Sequence, residues 1–401
     1  MISNPPFRRA FTPAGLLAAI TIIGATIAPA AQAAVSVSVG STRYNMMTNG
    51  GYGGWEFFPR LIQLQDGRLM GGFYEGYSEG SPPKPSYPRG GQLMYTIATN
   101  SEGTSWGAPQ LLYDGPHDEV GPELTQLSNG TLLCTYWNRP YSGMDPDQRG
   151  TYLIKLPPGE GATWSAPQLV APYPYYDNTP IRVLSNGRLV KSLYYQDAPD
   201  PGATVLYDAV SVSDNGGDTW SAPVAIPLPS GTLAGEADVI QLTNGTGKLL
   251  AVERGCDAIP VGRYSISNDY GDTWSNSQPF NFADGRQRVD APYLLRHGSM
   301  ILMGYRGLNA SGTLVAALRY SLDEAATWSD QIVVDSFSDY AYPSMVNLSD
   351  TSVLYAYSTG GNNYVRQITI TGMPIPEPGS LALLLAAGLA CLLAYAWRKR
   401  R

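Results

Sequence analysis

The chain has 401 residues, of which only 15% are charged while 44 are glycine and 32 proline, a composition that excludes long solvated helices and coiled coils. Its 43% hydrophobic content supplies apolar mass for a large core and excludes wholesale disorder. The formal charge of −7 is uneven: residues 34–371 hold 20 basic and 32 acidic residues, a net −12, so no nucleic-acid partner is expected.

At the N-terminus Arg8 and Arg9 precede an apolar stretch from Ala14 to Ala28 and the small-residue run Ala31-Gln32-Ala33. That order predicts a secretory signal peptide over 1–33, cut by signal peptidase. Arg8-Arg9-Ala10-Phe11 also resembles a twin-arginine export signal.

From there the chain repeats. An apolar strand, a turn and a second apolar strand recur, with turns at Asp66-Gly67, Asn129-Gly130, Asn186-Gly187, Asn244-Gly245, His297-Gly298 and, without the glycine, Asp350-Thr351. Asn-Gly and Asp-Gly tolerate the positive φ that tight hairpins require. In phase with the hairpins runs the pattern S-x-D-x-G-x-T-W, complete at Ser267 to Trp274 with Asp269 and Gly271, and with Asn215 in the Asp place at Ser213 to Trp220. Weaker copies run Thr99 to Trp106, Pro157 to Trp164 and Ser321 to Trp328, where Ala325 replaces the glycine. Trp106, Trp164, Trp220, Trp274 and Trp328 therefore recur every 54–58 residues.

Six hairpins at that period predict an all-β, six-bladed propeller over 34–371, with four strands per blade and each tryptophan wedged between neighbouring blades. Ala34 to Tyr44, alternating Val and Ser, is placed to supply the last outer strand and close the ring. Cys134 and Cys256 read more readily as two thiols than as one bridge. With only His117 and His297 in the chain, neither a metal nor another cofactor is expected, and His117-Asp118-Glu119 reads as a solvated loop.

The C-terminal segment 372–401 contains Pro376-Glu377-Pro378, an unbroken apolar run from Leu381 to Trp397 and the cluster Arg398 to Arg401. The run is near the lower limit for a transmembrane helix. The three parts resemble the PEP-CTERM sorting signal. That resemblance implies processing by an exosortase and a location at the cell envelope or outer surface, membrane-anchored by the helix or released after processing.

The S-x-D-x-G-x-T-W copies are similar to the Asp boxes of bacterial neuraminidase repeats, and residues 45–370 resemble the sialidase superfamily of propellers. In such a fold the starts of the innermost strands converge on the axis. Glu56, Arg60, His117, Asp118, Glu119, Glu123, Asp177, Arg182, Glu236, Arg286, Arg288, Asp290, Asp339, Tyr340 and Tyr342 fall there. Carboxylates beside arginines are what glycosidic cleavage uses.

The resemblance implies that Glu236 is a base toward the nucleophile Tyr342, and that Arg254 grips substrate. A phenol of pKa about 10 needs such a base to attack at neutral pH. For the family's acid/base aspartate the loose counterparts are Glu75, Glu79 and Asp118. Its opening Arg-Ile-Pro reads Phe57-Phe58-Pro59, which leaves Arg60 three residues on from Phe57 and Arg306 as further substrate-binding places, with Arg182 and Glu123 beside them. Pro59-Arg60-Leu61 and the glutamate pairs resemble the related exo-arabinanase propellers. The same charges also suit salt bridges between blades. Two functions follow: a glycoside hydrolase acting on extracellular carbohydrate, or a catalytically silent propeller that binds polysaccharide or protein. Pro172 to Tyr176 and Tyr77 to Tyr87 offer flat aromatic faces for sugar rings in either case.

Overall fold

The computed structural model describes residues 34–47, 55–76, 91–139, 144–197, 205–256, 260–337 and 341–373. The expected signal peptide, the apolar tail run, Glu79, the Tyr77 to Tyr87 segment, Asp339 and Tyr340 lie outside them. Among the described residues every regular element but one 3-10 turn is a strand, and no helix is long and apolar enough to cross a membrane.

Ser36–Thr371 form one compact unit of six antiparallel sheets. Blade I runs from its innermost strand Trp55–Gln63 through Leu69–Gly76 and Gln92–Ile97 to Gln110–Tyr113. The innermost strands of blades II to VI are Glu119–Gln126, the split pair Tyr175–Tyr176 and Arg182–Val183, Ala234–Gln241, Asp290–His297 and Ser344–Ser349. Blade VI takes its outer strand from the other end of the chain: Ser36–Val39 pairs with Asn362–Thr371, in the register Ser36 to Thr371 and Val39 to Ile368. The ring is closed as the Val/Ser alternation predicts, and Tyr44–Met47 adds to the same edge.

The hairpins turn where the sequence places them. Gly130 has φ +89°. In blade IV the left-handed residue is Gly247 at φ +68°, not Gly245, because two additional residues widen that turn.

Between blades the apolar residues form separate seams. Trp274 packs with Leu184, Val190 and Val210 of blade III and with Val239, Leu249 and Ala251 of its own blade IV. Trp106, Trp164, Trp220 and Trp328 take the same place at the other seams. The sixth seam, between blades V and VI, holds Tyr355, whose hydroxyl donates to Ala317 O at 3.0 Å.

The box at Ser267 to Trp274 is a self-contained turn. Asp269 accepts Thr273 N at 2.9 Å and Thr273 Oγ1 at 2.5 Å, while Ser267 Oγ takes Gly271 N at 2.9 Å. Ala325 adopts φ +68° in the glycine place. In the first copy the role slips by one residue: Asn100 Oδ1 accepts Thr104 N at 3.0 Å, so Asn100, not Ser101, stands for the aspartate. Asp269→Ala is expected to cost about 1–3 kcal/mol, the scale of hydrogen bonds to a charged acceptor, measured as a lower urea midpoint. An unchanged urea midpoint would contradict this structural role.

Candidate active site

Four of the six innermost strands share one irregularity that builds the site. Register shifts fall between Phe57 and Arg60, Val120 and Glu123, Gly235 and Asp238, and Asp290 and Tyr293. At these bulges Phe58, Gly121, Glu236 and Ala291 adopt φ of +56°, +74°, +56° and +46°, and Tyr342 in blade VI adopts +37°. A bulge re-aims its side chain out of the strand's alternation. Non-glycine residues in left-handed backbone carry strain of about 1–3 kcal/mol, which the surrounding packing must over-determine.

Glu236 and Tyr342 thus occupy equivalent places on two blades, and they meet. Tyr342 Oη donates to Glu236 Oε1 at 3.1 Å, and Arg254 Nη1 lies 2.9 Å from Glu236 Oε2. Burial, then the Glu236 charge, pushes the Tyr342 phenol above its ordinary range. At neutral pH Tyr342 is therefore an un-ionised phenol, with its hydroxyl on the Glu236 side chain. Behind the bulge Ala237 N donates to Asp208 Oδ1 at 2.9 Å. Burial, then the Glu253 charge, pushes Asp208 well above the carboxylate range. The lone charged residue of the strand Leu206–Ser213, set before Ala209 and Val210, is the sequence signal that would have found Asp208.

Of the expected arginines, two sit at this mouth. Arg306 Nε reaches Asp290 Oδ2 at 3.0 Å, and Arg254 Nε is 3.9 Å from Asp290 Oδ1. Arg306 Cζ also lies 5.7 Å from the Tyr342 ring centre. The other two are placed elsewhere. Arg60 turns into the channel, 3% exposed, with Nε 2.6 Å from each Glu123 oxygen and Nη2 2.8 Å from Asn178 O. Glu123 is fully buried, so this pair is spent on itself. Arg182 binds Asp238 and lies over the Tyr293 ring, lining a cavity of about 1150 Å³ at the hairpin end of the channel. Arg286 pairs with Asp284 at 3.5 Å.

Asp118 accepts Tyr74 Oη and Gly91 N, both at 2.8 Å, and faces Arg139 Nη1 at 3.5 Å. Glu75 accepts Gln92 Nε2 at 2.8 Å. His117, Asp118 and Glu119 are buried, which corrects the expected solvated loop: Glu119 folds back to accept His117 N at 3.0 Å and Gly115 N at 3.2 Å.

Burial raises the Glu119 carboxyl from 4.5 to about 7. The folded chain therefore keeps a proton that the unfolded chain releases above pH 4.5, and this contribution lowers stability as pH rises through 7. Replacing it by Gln is expected to remove up to about 1.4 kcal/mol per pH unit of that decline, read from melting temperature against pH. Parallel curves for the two proteins would refute it.

An aromatic arc faces the charged one. Phe58 lies 4.5 Å from Tyr342 and 6.4 Å from Tyr74 between ring centres, and Trp137, Tyr176 and Tyr194 continue it at 4.9 and 5.4 Å. Tyr176 comes from the Pro172 to Tyr176 segment. Cys134 and Cys256 are free thiols, in blades II and IV.

The BNR repeat-like domain family matches residues 93–355. The chain belongs to that family. A PEP-CTERM protein-sorting motif matches 374–401, which implies export and association with the cell-envelope surface. No curated protein sequence matches the chain. Among solved structures, a protein of unknown function from Dyadobacter fermentans is 19% identical and aligns over 84% of this chain and 99% of its own, with a TM-score of 0.68. The Hadza microbial sialidase Hz136 aligns at 16% identity over 82% and 68%, TM-score 0.60. A GH93 α-L-arabinofuranosidase of Fusarium graminearum, solved with arabinobiose, aligns at 17% over 82% and 97%, TM-score 0.57. At these identities the likeness shows the fold, a sialidase-type six-bladed propeller.

Proposed function

We propose that the protein is an exported glycoside hydrolase acting on extracellular glycans at the Glu236–Tyr342 mouth of the axis. The observation that carries this reading is the 3.1 Å hydrogen bond between a left-handed Tyr342 and a left-handed Glu236, from blades separated by 106 residues. Two strained backbones kept so that a phenol meets a base suit nucleophilic catalysis better than packing.

In this reading Glu236 accepts the Tyr342 proton as the phenolate oxygen bonds to the anomeric carbon. The glycosidic bond breaks toward its oxygen, which is protonated by Asp118 or Glu75 from the blade I and II side. Water then cleaves the glycosyl–tyrosine bond and the protons return. The aromatic arc takes the apolar face of the ring, and Arg254 and Arg306 face its oxygens. In this reading the activity sits at the envelope, with the chain anchored by 381–397 or freed after exosortase processing, as the sorting motif supports.

The pairing of each axial arginine with an acid favours a second reading, a silent propeller that binds polysaccharide through the same mouth. Sugar release from a panel of polysaccharides, sialosides, arabinosides and aryl glycosides separates the two. Turnover with any member establishes the hydrolase, and saturable binding without turnover establishes the silent form.

A further inference from the structure

Three guanidinium groups from blades IV and V converge on one carboxylate that belongs to the chain itself. Arg288 places Nη2 2.6 Å and Nε 2.8 Å from Asp290 Oδ2, which Arg306 Nε also reaches at 3.0 Å, while Arg254 Nε faces Asp290 Oδ1 at 3.9 Å. Asp290 is 1% exposed and is paired in register with Arg306 beside the bulge at Ala291, so backbone geometry holds its carboxylate under the cluster. Arg254 is shared again with Glu236 at 2.9 Å.

Across the mouth, the blade I side chain at the place equivalent to Glu236 and Tyr342 is Phe58, its ring 4.5 Å from that of Tyr342. Arg60, the nearest cation on that strand, gives its donors to Glu123, to Asn178 and to main-chain carbonyls including those of Tyr342 and Pro343. A ligand carboxylate would enter as a third acid beside Asp290 and Glu236, competing with Asp290 for the donors of the three guanidiniums and repelled at short range by both acids. The −12 of residues 34–371 adds to that repulsion.

We propose that Asp290 is a built-in carboxylate that closes the arginine cluster, so that the mouth selects an uncharged sugar ring and rejects carboxylated sugars. This rests on reading the mouth as a sugar site. Asp290 acts here as a specificity residue, not as a group that attacks or protonates the substrate.

The test is calorimetric titration of the full-length protein with sodium acetate, D-galactose and D-galacturonate, the last two differing by one carboxylate. The parent is expected to show no saturable acetate binding and to bind galacturonate at least tenfold more weakly than galactose. Asp290→Asn, which keeps the side-chain shape and removes the charge, is expected to bind acetate and to narrow the sugar gap at least tenfold. Saturable acetate binding by the parent, or a folded Asp290→Asn that gains none, would overturn the proposal. Should that variant fail to fold, the acetate arm on the parent decides alone. Failure of the sugar-site reading shows separately, as absence of both hexose binding and turnover on the glycan panel whatever acetate does.

Discussion

Glu236→Gln is expected to lower kcat by about 10²–10⁴-fold on whichever glycoside the panel identifies, with KM changed only a few-fold. The phenol it serves is harder to ionise than a free tyrosine, because burial and the facing carboxylate both raise Tyr342. An amide keeps the volume and one acceptor for the 3.1 Å hydrogen bond but cannot take the proton. Arg254 then loses its nearer acid and keeps Asp290 at 3.9 Å, so the charged arc persists. Steady-state kinetics beside a thermal melt check the claim. Retention of kcat within tenfold in a folded variant would remove Glu236 from the chemistry and leave the couple a structural link between blades IV and VI.

The second large effect concerns stability. Arg60→Met is expected to cost about 3–5 kcal/mol, because it takes from the fully buried Glu123 its hydrogen-bonded cation and leaves only the weaker pull of Lys191. That is a large share of the roughly 5–15 kcal/mol that holds a typical domain together. Arg60 also links blades at the axis, donating to Asn178 O of blade III and to the Tyr342 and Pro343 carbonyls leading into blade VI.

The loss should depend on pH. Burial already raises the Glu123 carboxyl against the lowering effect of Arg60, so without Arg60 its folded-state affinity for a proton rises further. The folded variant then binds a proton that the unfolded chain releases above the ordinary value, so the deficit is smallest in acid and grows toward neutral pH. Urea unfolding of Arg60→Met at two pH values, with the Arg60→Met/Glu123→Leu double variant, measures it. The double variant should recover much of the loss, since both charges leave together. A pH-independent loss below about 1 kcal/mol would show that the pair contributes little.

The architecture was legible because its causes are local. Alternation of apolar residues sets which face of a strand is buried, Asn-Gly and Asp-Gly set where it reverses, and the spacing of Trp106 to Trp328 sets how often one tryptophan must fill a seam. Closure by Ser36–Val39 could be read for the same reason: a Val/Ser alternation needs a sheet edge to complete. The first box shows the limit of such reading. Its turn uses Asn100 rather than Ser101 because either register satisfies the pattern, and the hydrogen bond to Thr104 N selects one.

The site divided along the same line. Sequence alone determined that this chain is a ring of six hairpin-built blades and that Glu236 and Tyr342 stand where innermost strands begin, since those properties follow from repeat spacing and strand periodicity, while Arg254, at the far end of the strand after the hairpin, was placed by the resemblance. Only the tertiary structure decided which charge faces which. Arg60 and Phe58 are two residues apart, yet the bulge between Phe57 and Arg60 sends Phe58 to the aromatic arc of the mouth and Arg60 down onto Glu123. Asp290 gathers three arginines, and Asp208 holds the bulge behind Glu236 from another blade. Such pairings depend on bulges and on the packing of strands distant in the chain, and one extra residue in a strand is enough to exchange which side chain faces the axis.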